Sequence, residues 1–219
     1  MRVMSFLVIG AGRFGAAVAE TLFDRGHEVV VIDRDEGAID AVMAHASHAV
    51  IVDGTDEGAL RSLGVSNFDA VVVAIGDDMQ ASILATAAAK DAGARRIVSK
   101  APTSLTERIL RRVGADEVVR PERDMGVRLA DHLANPSLVD AFRLGQAFEV
   151  MEVVAGESLV GRLAKLRLPN RFGVHVMAVD RGGELTVAPS ADFTVELDDR
   201  LVVVGANASV EKLQAYLAG

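Results

Sequence analysis

Six residues, Gly10-Ala11-Gly12-Arg13-Phe14-Gly15, constrain this chain more than any other stretch. A short apolar run, Phe6-Leu7-Val8-Ile9, precedes them. A helical pattern follows, with Val18 and Leu22, and Ala19 and Phe23, each four apart. Strand, glycine turn and helix in that order form the context of a dinucleotide fingerprint. Gly10 permits the tight turn, Gly12 lets backbone approach a pyrophosphate, and Gly15 lets helix and strand pack closely. The free N–H groups and positive dipole end of the helix then face the phosphates. Asp33 closes the next apolar run, Val29-Val30-Val31-Ile32, where a carboxylate accepts hydrogen bonds from ribose hydroxyls.

From there to residue 122 short β-branched runs alternate with helical patterns. Strands are predicted at Phe6–Ile9, Val29–Ile32, Ala49–Val52, Ala70–Ile75, Arg96–Ser99 and Glu117–Val119. They are continuously apolar, as parallel strands covered on both faces are. The intervening helices mostly end in a glycine, Gly26, Gly64, Gly93 or Gly114, placed for a left-handed turn into the next strand. The predicted fold is α/β, a doubly wound Rossmann sheet.

Beyond it the grammar changes. Asp124 to Leu133 reads as a helix with Met125 and Leu129 on one stripe, broken at Asn135-Pro136-Ser137, with a short apolar segment Leu138–Phe142 and no strand at the usual spacing. This stretch reads as a connector that packs on its own domain or on another subunit. Residues 148–219 read as a small α+β lobe. It has a strand Phe148–Val154, then a helix capped by Ser158 and carrying Leu159, Leu163 and Leu166, then a loop Pro169–Gly173. A hairpin of His175–Val179 and Leu185–Val187, a strand Leu201–Val204 and a last helix opened by Ser209 complete it. The expected organisation is a nucleotide-binding domain over 1–123, a crossover connector over 124–142 and a C-terminal lobe over 143–219. A lobe of about 70 residues is close to the lower limit for standing alone, and association with a second copy would relieve that.

Composition narrows the function. The 219 residues include no cysteine, so disulfides, thiolate metal sites and a cysteine nucleophile are excluded. A net charge of −8, no Trp and one Tyr argue against nucleic acid and against anionic lipid as partners. No signal peptide and no apolar run near the ~20 residues of a membrane helix is visible, so a soluble cytoplasmic protein is expected.

Asp33 stands where a 2′-phosphate would sit and argues against NADP, although Arg34 beside it is a type that accommodates that phosphate. NAD and the adenine nucleotides share the adenosine half, so the fingerprint does not separate them. Arg13, inside the glycine turn, can pair with a terminal phosphate; it reads equally as a solvated surface arginine. Asp53-Gly54-Thr55 and Ile75-Gly76-Asp77 end the third and fourth strands, and Lys100 ends the fifth, all on the carboxyl edge where such sheets bind ligands. Asp78 reads as a helix cap. Glu122 reads equally as a ligand and as a first-turn helix acid. Among five histidines only His45 and His48 lie close in sequence, and they read as solvated loop residues rather than a metal site. No nucleophilic triad and no general base placed over a nicotinamide is visible.

Taken together, the glycine turn with its internal Arg13, Asp33, the run Val73-Ala74-Ile75-Gly76 with Gln80-Ala81-Ser82, and Pro121-Glu122-Arg123-Asp124-Met125-Gly126 resemble the KtrA/TrkA family, regulatory RCK proteins of potassium transporters. The resemblance runs over nearly the whole chain. It implies a cytosolic homo-octameric ring, peripheral to the membrane through a potassium-translocating membrane subunit. It implies ATP or ADP as the nucleotide, with magnesium or calcium at the phosphates. By position, Arg13 would contact the γ-phosphate and Asp33 the ribose, while Asp53 and Gly54 would flank the adenine. Ile75, Gly76, Asp77 and Lys100, with Phe14, Gly15, Arg34 and Thr55, would line the rest, and Glu122 would hold the cation across a subunit contact. The connector would be the dimerising crossover.

This chain departs from the family in having Thr106 where relatives often carry His. It matches the cyclic di-AMP surface of some relatives only at scattered points of Leu168–His175. The reading is a non-enzymatic, nucleotide-gated regulator that uses ATP/ADP; the alternatives are an NAD-dependent oxidoreductase and an NADH-sensing regulator.

Overall fold

The computed structural model describes residues 2–134, 138–145 and 147–218. The chain divides into two compact units, Met1–Glu122 and Arg123–Gly219.

In the first unit the order is β1 (Ser5–Ile9), α1 (Arg13–Asp24), β2 (Glu28–Asp33), α2 (Glu36–Val42), β3 (His48–Ile51) and α3 (Glu57–Ser62). It continues with β4 (Ala70–Val73), α4 (Met79–Asp91), β5 (Ile97–Lys100), α5 (Ser104–Val113) and β6 (Glu117–Val119). The six strands form one sheet in the order β3-β2-β1-β4-β5-β6. Every pairing in it is parallel. That is the doubly wound Rossmann order, and its switch point lies between β1 and β4. Central strands are buried on both faces: every residue of β4 and four of the six in β2 are buried. Leu7, Ile9, Ile32, Val71, Val73 and Ile97 pack with α3, α4 and α5 in one core layer. Val8, Val29, Val31 and Val72 pack with α1 and α2 in another. Continuous apolar strands thus serve two layers at once, which is why they do not alternate. The helix-ending glycines Gly26, Gly64, Gly93 and Gly114 all have positive φ, as the turns into the next strands require. The fourth strand stops at Val73, two residues short of expectation; Ala74 N still donates to the Ile9 carbonyl oxygen at 2.8 Å, and the Ala74–Ile75 peptide packs on Gly10.

Helix α6 (Pro121–Ala134) starts on a proline, three residues earlier than expected. Met125, Leu129 and Leu133 on it are exposed. The break placed at Asn135-Pro136-Ser137 lies outside the described residues.

The second unit has β7 (Leu138–Leu144), β8 (Phe148–Val154), β9 (Gly161–Arg162), α7 (Leu163–Leu166) and α8 (Leu168–Phe172). After them come β10 (Val174–Arg181), β11 (Glu184–Val187), β12 (Thr194–Val195), β13 (Arg200–Ala206) and α9 (Asn207–Ala218). A five-stranded sheet runs β11-β10-β13-β8-β7, and β12 pairs with β9. All these pairings are antiparallel. The core gathers Met151, Val153, Leu201 and Val203 from the sheet under Leu168, Phe172, Val210 and Leu213 from the helices.

Three expectations fail in this unit. Leu138–Phe142 is not strandless: β7 pairs with β8 from Leu138↔Val153 to Leu144↔Phe148, with a bulge between Leu138 and Asp140 that obscures the period. Leu159, Leu163 and Leu166 do not share a helix. Leu159 ends a 3₁₀ turn, and Gly161, at φ +127°, breaks the path to join β12 through Val195. The segment Pro169–Gly173 is not a loop. Its proline stands in the first turn of α8 and its glycine, at φ +79°, closes the helix, so both are a short helix's punctuation. The hairpin of β10 and β11 stands where expected, while the last helix opens at Asn207, two residues before Ser209. Among the described residues no helix is long and apolar enough to cross a membrane.

Candidate functional site

The first unit's strands all point the same way, so their carboxyl ends share one edge. A cleft of ≈ 500 Å³ opens there, within the usual range for a small-molecule site. Ten residues singled out from sequence line it: Gly10, Gly12, Asp33, Arg34, Asp53, Gly54, Thr55, Ile75, Gly76 and Asp77. Ile9, Ile32, Val52, Ala74, Asp78, Gln80, Ala81 and Leu84 also line it and were not singled out for it. The first four flank motif residues at strand ends and were findable by position. Gln80, Ala81 and Leu84 form one face of α4, visible only once that helix is set against the sheet edge.

Packing explains some glycines and not others. A Cβ on Gly15 would sit 1.9 Å from the Gly10 carbonyl oxygen, so Gly15 serves helix–strand contact and does not face the cleft. Gly10, at φ +104°, approaches the Ala74–Ile75 peptide so closely that a Cβ would lie 3.2 Å away. A Cβ on Gly54 would fall 2.2 Å from Cγ2 of Ile9. Gly12 differs. A Cβ there would meet nothing within 4 Å, and its φ of −65° suits any residue. It N-caps α1 without a side-chain hydrogen bond, so the first-turn N–H groups lack a capping acceptor. Nothing inside the protein requires a glycine at this place; a group approaching from the cleft would.

The Asp33 carboxylate holds the loop in place. Its Oδ2 accepts from Ala11 N at 2.7 Å and its Oδ1 from Asp35 N at 3.0 Å. Each oxygen keeps a lone pair for a ribose hydroxyl. Asp53 accepts from the Thr55 N–H at 2.9 Å and the Thr55 hydroxyl at 2.7 Å. Those two bonds, helped by the charge of Arg34 and opposed by burial, hold its carboxyl below the usual aspartate range. Asp78 caps α4 through Ala81 N at 2.9 Å, as expected.

Arg13, Phe14, Gly15, Lys100 and Glu122 are not among the residues lining the cleft. Three of them lie close together. Lys100 Nζ is 2.6 Å from Glu122 Oε1 and 5.9 Å from the Phe14 ring centre. Hydrogen bonding from Lys100, then a backbone bond within Glu122, hold the Glu122 carboxyl below its usual range. Burial opposes this, and the charges of Lys100 and Arg13 reinforce it. Arg13 is exposed and makes no hydrogen bond or salt bridge among the described residues.

Among the described residues no three His, Cys, Asp or Glu side chains gather to hold a metal ion. Glu122 alone supplies one carboxylate, which suits a cation that takes its other ligands from phosphates and water. Thr106, at the position where a histidine was the family expectation, is buried, bonded to Thr103 and near the Met79 sulfur.

In the second unit a cavity of ≈ 490 Å³ is lined by Arg167, Leu168, Pro169, Asn170, His175 and Ala191, among others.

The TrkA-N domain model matches residues 6–121 and the TrkA-C domain model residues 149–218. The chain is 39% identical over 210 residues to Ktr system potassium uptake protein C of Bacillus subtilis, covering 95% of each chain. It is 38% identical over 201 residues to Ktr system potassium uptake protein A of Vibrio alginolyticus, covering 91% of each. In fold it is similar to the GsuK channel bound to NAD, with a TM-score of 0.70 at 17% identity, over 100% of this chain and 40% of that one. The GsuK structure bound to ADP superposes with a TM-score of 0.53 at 18% identity, over 62% and 36%. The chain thus spans less than half of the GsuK chain. An N-terminal TrkA-N domain, a C-terminal TrkA-C domain and end-to-end likeness to two Ktr proteins place this chain in the Ktr/TrkA family of potassium uptake proteins.

Proposed function

We propose that the chain is a regulatory subunit of a potassium uptake system, which binds ATP or ADP in the cleft and turns terminal-phosphate charge into a change of shape. The carrying observation is Gly12: within the Gly10–Gly15 turn it is the glycine with no packing reason to be glycine, and it lies at an uncapped helix N-terminus on the cleft. Asp33 beside it leaves acceptor capacity for a ribose. The likeness to the Ktr proteins supports the potassium role, and the GsuK structures named for NAD and ADP support a nucleotide.

In this reading adenosine lies along Asp33, Asp53 and Gly54, and the phosphates run over Gly10 and Gly12 toward Arg13. Ile75, Gly76, Asp77, Arg34 and Thr55 line the rest of the cleft, with Phe14 and Lys100 beside the phosphate end. A magnesium or calcium ion bridges the outer phosphates and Glu122. The exposed stripe of α6 meets a second copy, and copies assemble into a ring, octameric by the resemblance, on the cytosolic face of a membrane potassium-translocating subunit. Cyclic di-AMP has room in the second unit's cavity beside Asn170 and His175. ATP and ADP share most contacts, so the ligand shifts the ring only by its differential affinity for two states, typically ~1–3 kcal/mol per site. Binding without chemistry is the function proposed; NAD(H) and an oxidoreductase activity are the competing reading.

Titration calorimetry decides. Arg13→Ala should weaken ATP about tenfold or more and ADP less than threefold, the size of one charged hydrogen bond. Equal losses remove Arg13 from the γ-phosphate. NAD bound far more tightly than ATP, with hydride transfer to a carbonyl panel, would favour the oxidoreductase. Light scattering after sizing, with and without ATP and magnesium, tests the ring; a monomer in every condition sinks it.

A further inference from the structure

Lys100 carries an inference that builds on the nucleotide reading of the cleft. Its stem is pinned. A Cβ on Gly76 would lie 2.8 Å from Nζ and 3.4 Å from Cε, so the lysine tail lies directly on a bare backbone that itself lines the cleft. The Phe14 ring flanks the ammonium. The Lys100 side chain is 13% exposed, whereas that of its partner Glu122 is 67% exposed. A nearly buried ammonium behind Gly76, at the edge of the cleft, is therefore neutralised, in the free chain, by a carboxylate standing largely in water.

We infer that Lys100 is the resident counter-ion of Glu122 and is handed over to the nucleotide phosphates on binding. The exchange is the step that frees Glu122 to hold a cation. Two features make it favourable. An ion pair with one partner in water is weak, so giving it up costs little. A polyphosphate carries more charge than a carboxylate and meets the same ammonium donors at the low-dielectric end of the cleft. Once Lys100 has turned to phosphate, Glu122 faces like charge, and a divalent ion between them removes the conflict. Glu122 offers one carboxylate, so a cation gains further anionic ligands only with the phosphates present. Nucleotide and cation binding are then reciprocally coupled through one lysine side chain.

A double-mutant cycle on the full chain, read by calorimetry with ATP and ADP in EDTA, tests the exchange. Wild-type binding comes first: no heat with either nucleotide at millimolar concentration is a failure of the cleft reading itself. If binding is present, Glu122→Gln should tighten ATP about fivefold to tenfold by releasing Lys100, the low end for a charged hydrogen bond. In a Lys100→Met background, which keeps the stem, the same substitution should gain less than twofold. Gly76→Ala, which pushes the ammonium aside without changing charge, should likewise blunt the gain. Thermal melts of each variant confirm folding. An equal gain in all backgrounds means that Glu122 merely repels phosphate, and overturns the exchange; no gain in any background also overturns it. In magnesium, Glu122→Gln should lose the cation's enhancement of ADP binding. An enhancement equal to that of wild type takes the cation away from Glu122 and overturns the second half of the inference.

Discussion

The two units handle the same problem, a sheet with an apolar interior, in opposite ways. In the first, parallel strands are buried on both faces and all carboxyl ends reach one edge. Ile9, Ile32, Val52 and Ala74 therefore line one cleft although 65 positions separate the first from the last. In the second, antiparallel strands alternate, as in β13, where Leu201, Val203 and Gly205 are buried and Val202 and Val204 are half-exposed. Strand ends there fall on both edges, so no common rim forms. Its cavity is built from α7, α8, the first residues of β10 and the loop after β11. Sheet direction decides whether a ligand site comes with the fold or has to be added by connections.

The strongest way to break this contrast is Gly15→Ala. The new Cβ would be forced against a backbone carbonyl at 1.9 Å, where no side chain can yield. The first unit should lose about 3–5 kcal/mol, beyond ordinary overpacking, and nucleotide binding with it. The chain has no Trp and a single Tyr, Tyr216 on α9, so tyrosine fluorescence reports on the second unit alone. Far-ultraviolet circular dichroism should show an early transition that the tyrosine signal does not share. Coincident melting would mean that the units unfold as one body.

Asp199→Asn is the reciprocal experiment. Asp199 is buried, accepts from Arg181 Nε at 2.8 Å and Nη2 at 2.7 Å, and accepts from Glu196 N at 2.8 Å. Arg181 also donates to Glu196 and to the Thr194 carbonyl, tying β10 to the β12–β13 turn. The loss should be about 2 kcal/mol, confined to the tyrosine transition, with ATP affinity unchanged. Acid sharpens the point. Bonding from Arg181 holds the Asp199 carboxyl below its ordinary value, against burial, so the unfolded chain takes up the proton first as pH falls. The stabilisation is complete above the ordinary aspartate value near pH 4 and is lost as pH falls through it toward the depressed one. The gap between wild type and Asp199→Asn should close over that window; a gap constant from pH 7 to pH 2 would remove ionisation from the account.

The same contrast governs what was legible beforehand. All six parallel strands were predicted to within two residues at each end, because a strand buried on both faces is a continuous apolar run bounded by glycine turns. In the second unit Leu159, Leu163 and Leu166 kept a helical spacing by coincidence. Their common burial comes from a 3₁₀ turn, a two-residue strand and a four-residue helix folding over one core. Periodicity cannot resolve elements shorter than its own period. At the site, ten of the fifteen singled-out residues line the cleft, since strand ends are marked in sequence. The Lys100–Glu122 pair was not legible as a pair, because its partners approach across 22 positions through the β5–β6 register and the start of α6.

Gly12→Ala has the smallest effect on stability and makes the finest distinction. Gly12 and Gly15 belong to one motif, in which Gly12 is expected to admit phosphate and Gly15 to let helix and strand pack. In the structure one is required by packing and the other meets only open space. At φ −65° and ψ 177° an alanine is unstrained. Lowering unfolded-chain entropy favours alanine by ~0.4–1 kcal/mol, and its poorer capping opposes by a few tenths. Both transitions should therefore stay within about 0.5 kcal/mol of wild type. Binding should nonetheless weaken tenfold or more for ATP and ADP alike, since a methyl group would hold phosphates off the first-turn N–H groups of α1. A fully folded variant with wild-type affinity would show that the open space above Gly12 is not where phosphate rests, and the cleft's orientation would have to be reversed.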